Sequence, residues 1–405
     1  MQLGWIDFSK TERNKILSVL DLLSEPGTLD ELGIAPIRDG FANLFFPGTS
    51  TIQTRAKYFF LVPYALKELE LSNETNPNKV LRALNETEKF CGQTLLEQNV
   101  NENGIIGKRS LQGGKWVKRT PADIYWAGLR KYGIFTGGNI SLSEYVRASC
   151  AIKNQKSNLT KLGNRNDSAE ENECDDKNAG NIFKMQFWKM PLYTKKWREN
   201  IQMNLTEEEG AFLREQIISN CPDSMLSYIL ENKMTEVLEF EYFSDLGAII
   251  QKFPKHIQDE YKLAVSFSDF LFVARTLYNI IISDGQNAQA NDIFEELKVE
   301  IAERSDIDID LIFTKLYIYK VDLKNFIKKL QDCMRNNDVE EMKKAIKARE
   351  IMLKGQSRAK TAHPGEFDPN DWIGGRELDY RFNNAKTIIR DIFESEGLLD
   401  AESKQ

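Results

Sequence analysis

A chain of 405 residues is longer than one hydrophobic core usually grows, so two or three cores joined by connectors are expected. A hydrophobic share of 41% and a charged share of 28% exclude general disorder. The net charge of -7 argues against a surface that coats nucleic acid or membrane as a whole, and leaves room for local basic patches.

Residues 1–7 lack a basic stretch followed by an apolar run, so no secretory signal is read there. The five cysteines, Cys91, Cys150, Cys174, Cys221 and Cys333, form no CxxC pair and fit neither a disulfide framework nor a zinc site, which suggests a reducing, cytoplasmic setting. Each is expected to be a small core residue or a bystander rather than a nucleophile.

Ser9 and Glu12 have the spacing of a capping box, after which Ile16, Val19, Leu20 and Leu23 recur on one helical face until Pro26 and Gly27 end the pattern. Residues 28–34 read as a short helical turn closed by Gly33, followed by Ile37 to Phe46 and a turn at Pro47, Gly48, Thr49 and Ser50. A helix is expected to begin within residues 49–51 and to be kinked or ended by Pro63, which lacks a backbone donor. A glycine turn feeding a helix N-terminus offers N–H groups, hydroxyls and a guanidinium to an anion. Thr49, Ser50, Thr51, Gln53, Arg55 and Lys57 are therefore candidates for contact with a nucleic-acid phosphate. The competing reading is a capped helix start with Arg55 and Lys57 in water or paired to Asp39.

Between Lys108 and Lys131 the cations Lys108, Arg109, Lys115, Lys118, Arg119, Arg130 and Lys131 face one acid, Asp123, and Trp116, Tyr125, Trp126 and Tyr132 interleave. Cations neutralise phosphates and aromatic faces stack on bases, so Arg109, Lys118, Arg119, Trp126 and Arg130 are further nucleic-acid candidates. The alternative buries the aromatics and leaves the cations solvated. Ile105, Ile106 and Val117, near glycine turns, suggest a small hairpin. Thr120, Pro121 and Asp123 form a strong helix start, with Gly133 closing that helix.

Residues 159–180 contain no aromatic residue and no Val or Ile, and read as a linker. Beyond it Phe183, Phe187, Trp188, Tyr193 and Trp197 crowd a short stretch and mark a new core, and Thr206 and Glu209 open a further helix. The most apolar stretch, residues 267–282, contains Asp269 and Arg275, is short for a bilayer crossing, and predicts a buried helix and no membrane partner. Helical spacing returns at Leu323, Phe326, Ile327 and Leu330, and at Ala385, Ile388, Ile389, Ile392 and Phe393. Before the last helix, an ion pair of Asp379 with Arg381 or of Arg376 with Glu377 is expected.

The fold class read from these elements is mainly α: a multi-domain helical protein with at most small β-hairpins. Its expected divisions are an N-terminal helical domain with a basic and aromatic surface (1–158), a linker or disordered loop (159–180), a helical domain (181–300) and a C-terminal helical region (301–405).

Catalytic signals are sparse. Two histidines, His256 and His363, leave few partners for a triad or a histidine-rich metal site. No P-loop or dinucleotide fingerprint is present, and no cofactor or metal is expected. Glu296-x-Lys298, Asp322-x-Lys324 and Glu341-x-Lys343 match part of a nuclease pattern but fall on expected exposed helix faces.

Four segments together, Leu3-Gly4-Trp5-Ile6-Asp7-Phe8-Ser9, Phe46-Pro47-Gly48-Thr49-Ser50-Thr51-Ile52-Gln53-Thr54-Arg55-Ala56, Ile124-Tyr125-Trp126-Ala127-Gly128-Leu129 and Leu378-Asp379-Tyr380-Arg381-Phe382, resemble an uncharacterised bacterial family of unknown function. The resemblance implies a bacterial cytosolic protein associated with anti-phage defence clusters that contain helicases and phospholipase-D-like nucleases, and supplies no catalytic residues. Where related sequences carry Trp, this chain has Tyr64 and Phe382.

The resulting expectation is a nucleic-acid-contacting adaptor of a bacterial anti-phage defence system rather than an enzyme, with DNA or RNA and a helicase or nuclease protein as partners. The alternatives are a metal-dependent nuclease whose acids converge only in the fold, and a protein-interaction scaffold.

Overall fold

A computed structural model describes residues 30–163, 187–191, 194, 196–375 and 377–399. The expected helix from Ser9, residues 28 and 29 of the expected turn, Cys174, Phe183, Tyr193 and Arg376 lie outside the described residues. In chain order the helices are α1 (Ala35–Phe45), α2 (Tyr58–Leu71), α3 (Pro77–Gln98), α4 (Lys108–Gln112), α5 (Pro121–Lys131), α6 (Leu142–Gly163), α7 (Glu207–Asn220), α8 (Met225–Glu231), α9 (Lys255–Ile282), α10 (Ala288–Leu297), α11 (Ile301–Arg304), α12 (Ile309–Lys315), α13 (Val321–Arg335), α14 (Val339–Lys354) and α15 (Phe382–Ser395). The fold is mainly α, and the described residues contain no strand beyond an isolated bridge between Phe135 and Trp188. The hairpin expected near Ile105 and Val117 is replaced by turns, because Ile105 and Ile106 are buried and the Ile106 amide donates to the Tyr58 hydroxyl at 2.9 Å.

Helix starts follow the capping chemistry of the sequence. Thr120 and Asp123 close a reciprocal box at α5, Thr206 and Glu209 do so at α7, and Asn76 accepts the Asn78 and Lys79 amides at α3.

The chain forms two compact units, each discontinuous in sequence. Unit one comprises residues 30–41 with Ile250–Tyr380; unit two comprises Ala42–Ile249 with residues 381–399. The boundary expected at 300 falls inside unit one, where α9 packs on α10 before it and on α11 and α14 after it. Periodicity shows which face of a helix is buried but not which partner buries it.

Unit one is built around α9, whose Phe267, Phe270, Leu271, Val273 and Leu277 have no solvent exposure. By length and composition it is the one described helix apolar enough to cross a membrane, and 72% of its apolar window is buried inside the protein, as in a core helix. Its Tyr278 hydroxyl donates to Glu350 on α14 at 2.9 Å, and the Ala264 carbonyl accepts from the Tyr380 hydroxyl at 2.7 Å.

Unit two packs α2 against α3 and α5, and α7 against α8 and α15. Pro63 does not end α2; the helix continues to Leu71, with every residue from Tyr58 to Leu66 buried by its neighbours. Phe187 and Trp188 do not start a separate core. The Thr136 amide donates to the Phe187 carbonyl at 2.9 Å and the Lys189 amide to the Ile134 carbonyl at 2.8 Å, which lays both rings against Phe135, Tyr145 and, for Trp188, Trp126. The expected linker start at 159 is helical, since α6 runs to Gly163.

Candidate nucleic-acid interface

No helix starts within residues 49–51; α2 begins at Tyr58, and the intervening stretch is an irregular turn satisfied from within the protein. The Thr49 hydroxyl donates to the Phe46 carbonyl at 2.6 Å, the Ser50 amide to the Gln53 side chain at 3.2 Å, and the Gln53 amide group to the Gly48 carbonyl at 3.0 Å. The Tyr125 hydroxyl accepts the Thr54 and Arg55 amides at 2.9 and 3.1 Å. Asn384 of α15 donates to the Thr51 and Gln53 carbonyls, and Arg381, which precedes that helix, to that of Thr49. The backbone N–H groups of Ser50 and Arg55, expected to face a phosphate, and that of Thr54 between them and α2 thus already have internal acceptors.

Arg55 and Lys57 are neither in water nor paired to Asp39, whose carboxylate is 3.1 Å from Arg38. Arg55 donates Nε to Asp391 at 2.8 Å and its terminal nitrogens to Glu102 at 2.6 Å and Asn204 at 3.1 Å. Lys57 is 4% exposed, and its ammonium reaches both Glu209 oxygens at 2.9 and 2.7 Å. Burial pushes the Asp391 carboxyl up to about 6, against Arg55 and the Ala56 amide, which favour its charged form. Sequence reasoning missed these partners, since Asp391, Glu102 and Glu209 stand far from the turn along the chain. Lys57 and Glu209 also border a cavity of about 680 Å³, with Tyr64, Gln98 and Trp197 in its wall.

The basic stretch separates into a buried and an exposed set. Trp126 is buried, donates its indole N–H to the Ile140 carbonyl at 2.9 Å, and packs 4.6 Å from the Phe135 ring centroid, so it belongs to the core. Tyr125 and Tyr132 are buried against Phe59. Arg130 is half-buried and reaches the same Ile140 carbonyl at 3.4 Å, while Lys108 donates to the Glu102 carbonyl at 2.8 Å.

Arg109, Lys115, Lys118 and Arg119 are exposed, on α4 and the loop of residues 113–120. Among the described residues Arg109, Lys115 and Lys118 form no ion pair. The loop is anchored rather than loose: the Trp116 ring packs where side chains on Gly92 of α3 and Gly107 would stand, 3.4 and 3.2 Å from their built Cβ positions. Gly107 takes φ +77, a left-handed conformation that favours glycine. Beneath the loop's end, Glu88 is buried and accepts the Ala122 amide at 2.6 Å, filling the start of α5 with the protein's own carboxyl group. Burial pushes that carboxyl up to about 8, opposed by Ala122 and Thr120 and assisted by Asp123.

These features define a mainly helical, two-unit protein with an anchored cationic loop. Residues 1–164 match the model of a family of unknown function, DUF6361, in keeping with the uncharacterised family that the motifs resemble. The matched span contains the first three of the four resembling segments and ends before Leu378. No curated protein and no solved structure matches the chain. Among the described residues, no group of three or more His, Cys, Asp or Glu side chains could hold a metal ion.

Proposed function

We propose that the protein contacts nucleic acid through α4 and the loop that leads to α5, as a cytoplasmic binding component of a bacterial anti-phage defence system in which a helicase or nuclease partner performs the chemistry. The observation that carries this reading is the exposure of Arg109, Lys115, Lys118 and Arg119 within eleven residues of an otherwise acidic chain, on a loop pinned by Trp116. A pinned loop presents cations to phosphates with little ordering left to occur on binding. The defence setting rests on the family resemblance alone. Arg55, Lys57 and Trp126 support the interface indirectly, by holding the scaffold.

Fluorescence anisotropy with labelled single- and double-stranded DNA and RNA tests the proposal. Charge reversal at Lys115, Lys118 and Arg119 together is expected to weaken binding; unchanged affinity in a variant that still folds overturns it.

A scaffold reading is favoured by one feature of unit one: Tyr317, Tyr319 and Val321 are 78%, 86% and 69% exposed in a single stretch, and tyrosine is among the side chains enriched at protein interfaces. A partner retained after nuclease treatment, and lost on Tyr317→Ala with Tyr319→Ala, supports that second role.

A further inference from the structure

Unit one carries a second cationic stretch, and there the aromatic side chains face solvent. Between residues 315 and 329 five lysines stand against one acid, Asp322, with Tyr317 and Tyr319 among them. Both tyrosines are exposed, neither ring packs on another aromatic ring, and neither hydroxyl is hydrogen-bonded among the described residues. The turn that presents them is fixed. The Tyr317 amide donates to the Thr314 carbonyl at 3.2 Å and the Ile318 amide to that of Phe313 at 3.0 Å, the paired bonds of a closed helix end. Leu316 packs against Gly40, 3.0 Å from where a Cβ would stand, and pins the turn from inside. Tyr317 itself takes φ 53, the left-handed region that favours glycine, so the closure of α12 does not account for its ring.

The lysines around the tyrosines outnumber the carboxylates that hold them. Glu260 takes Lys315 at 2.7 Å. Asp310 is shared by Lys324 at 2.7 Å and Lys328 at 3.0 Å, and Lys320 has no ion pair among the described residues. Asp322 neutralises none of them, since Arg349 holds it at 3.0 Å, and Lys329, further along α13, shares Glu341 with Lys344. Four lysines against two carboxylates leave two positive charges beside two open ring faces, in a chain whose net charge is -7. Lysine is depleted at protein interfaces. Cations beside exposed rings are instead the chemistry that holds a strand with unpaired bases, because phosphates meet the ammonium groups and each base has a face to lay on a ring. In a duplex those faces are already stacked on neighbouring base pairs.

We propose that Tyr317 and Tyr319, with Lys320 and Lys324 beside them, form a contact for single-stranded nucleic acid, in which bases stack on the two rings and the lysines meet the backbone. The contact lies in unit one and does not rest on the loop after α4: either can exist without the other. It also gives the tyrosines a ligand other than the protein partner of the scaffold reading, and experiment separates the two.

Anisotropy titrations of the full chain with labelled oligo-dT, oligo-U and duplex DNA of equal length test it, the first two arms telling whether DNA or RNA is taken. Tyr317→Ala with Tyr319→Ala is expected to weaken single-strand binding at least about tenfold and to leave duplex binding unchanged. The slope of log K against log salt should also stay as it was, because stacking releases no counterion. Lys320→Ala, by contrast, should flatten the single-strand slope by about 0.7. Tyr317→Phe with Tyr319→Phe keeps both rings and should restore the single-strand affinity. Ultraviolet crosslinking of a 5-bromouracil strand should mark the peptide that contains Tyr317 and Tyr319. Single-strand affinity that the alanine pair leaves unchanged, or an equal loss for duplex, overturns the proposal. Crosslinking confined to the loop of residues 113–120 also overturns it and leaves the contact after α4 standing alone, whereas no binding of any strand removes both contacts. A nuclease-resistant protein partner lost in the alanine pair, with single-strand binding intact, overturns it too and returns the tyrosines to the scaffold reading.

Discussion

The Asp391 carboxylate accepts both the Arg55 Nε at 2.8 Å and the Ala56 amide at 2.7 Å, so the last helix of unit two fixes a turn that lies more than three hundred residues earlier in the chain. Asp391 is 4% exposed, and its removal leaves the Arg55 Nε and the Ala56 amide without the buried carboxylate that accepts from both. Breaking a buried pair from one side costs about 3–5 kcal/mol. Asp391→Ala is therefore expected to lower the urea midpoint strongly. Arg55→Ala with Asp391→Ala should cost less than the two single changes added, because the pair acts as a unit.

Gly48 and Gly128, one from each of two motifs, meet where no side chain fits. A Cβ on Gly128 would lie 2.6 Å from the Gly48 carbonyl oxygen and 2.8 Å from the Phe59 ring, neither of which is the free end of a flexible chain. Gly128→Ala is expected to destabilise unit two by about 1–3 kcal/mol, measured as a drop in thermal midpoint. Gly113→Ala is the control for glycine loss without crowding, since its φ of -88 suits alanine and no atom lies closer than 3.5 Å to its Cβ position.

The same pair of motifs shows what the sequence conveys and what it withholds. Helices that declare themselves by capping boxes or by 3.6-residue spacing, such as α5, α7, α13 and α15, stand where local chemistry puts them. The turn at Pro47 was legible as unusual, but its purpose was not. Its glycine, hydroxyls and cations match an anion cradle and a packed turn equally well. What decides between them is Tyr125, Asn384 and Asp391, and no local spacing reveals a partner seventy or three hundred residues away. The division into units was illegible for a related reason. Each unit gathers two separated stretches, and composition shifts mark linkers rather than chains that leave a core and return to it.

Glu88 makes stability depend on pH in a definite direction. Its folded-state pKa, about 8, lies above the ordinary carboxyl value, so between roughly pH 4.5 and pH 8 the folded chain holds a proton that the unfolded chain has released. The stabilising contribution is fully present below the unfolded value and is lost as pH rises through about 8. The loss is at most about 1.4 kcal/mol per pH unit across that window. Urea unfolding at pH 6 and pH 9 should show the unaltered chain weaker at the higher pH. In Glu88→Gln, which presents a neutral oxygen to the Ala122 amide at every pH, the difference should shrink.

The alternative of a metal-dependent nuclease makes the opposite forecast from an adaptor. Incubated with DNA and RNA in Mg²⁺ or Mn²⁺, the purified chain is expected to leave both intact. Cleavage that tracks the protein through a final sizing column would reverse that expectation.

Salt dependence separates cations that touch phosphate from cations that hold the fold. Each phosphate contact on duplex DNA contributes about 0.9 to the slope of log K against log salt, because a condensed counterion is released when the contact forms. Lys118→Ala and Arg119→Ala are each expected to weaken binding across sequences and to flatten that slope by about 1. Lys57→Ala removes a cation of equal charge that sits inside the protein, 2.7 Å from Glu209, so it should leave the slope of the folded fraction unchanged and lower the denaturation midpoint instead. If Lys57→Ala flattens the slope as much as Lys118→Ala does, the assignment of the exposed loop as the contact surface fails, because charge at either place would then matter equally.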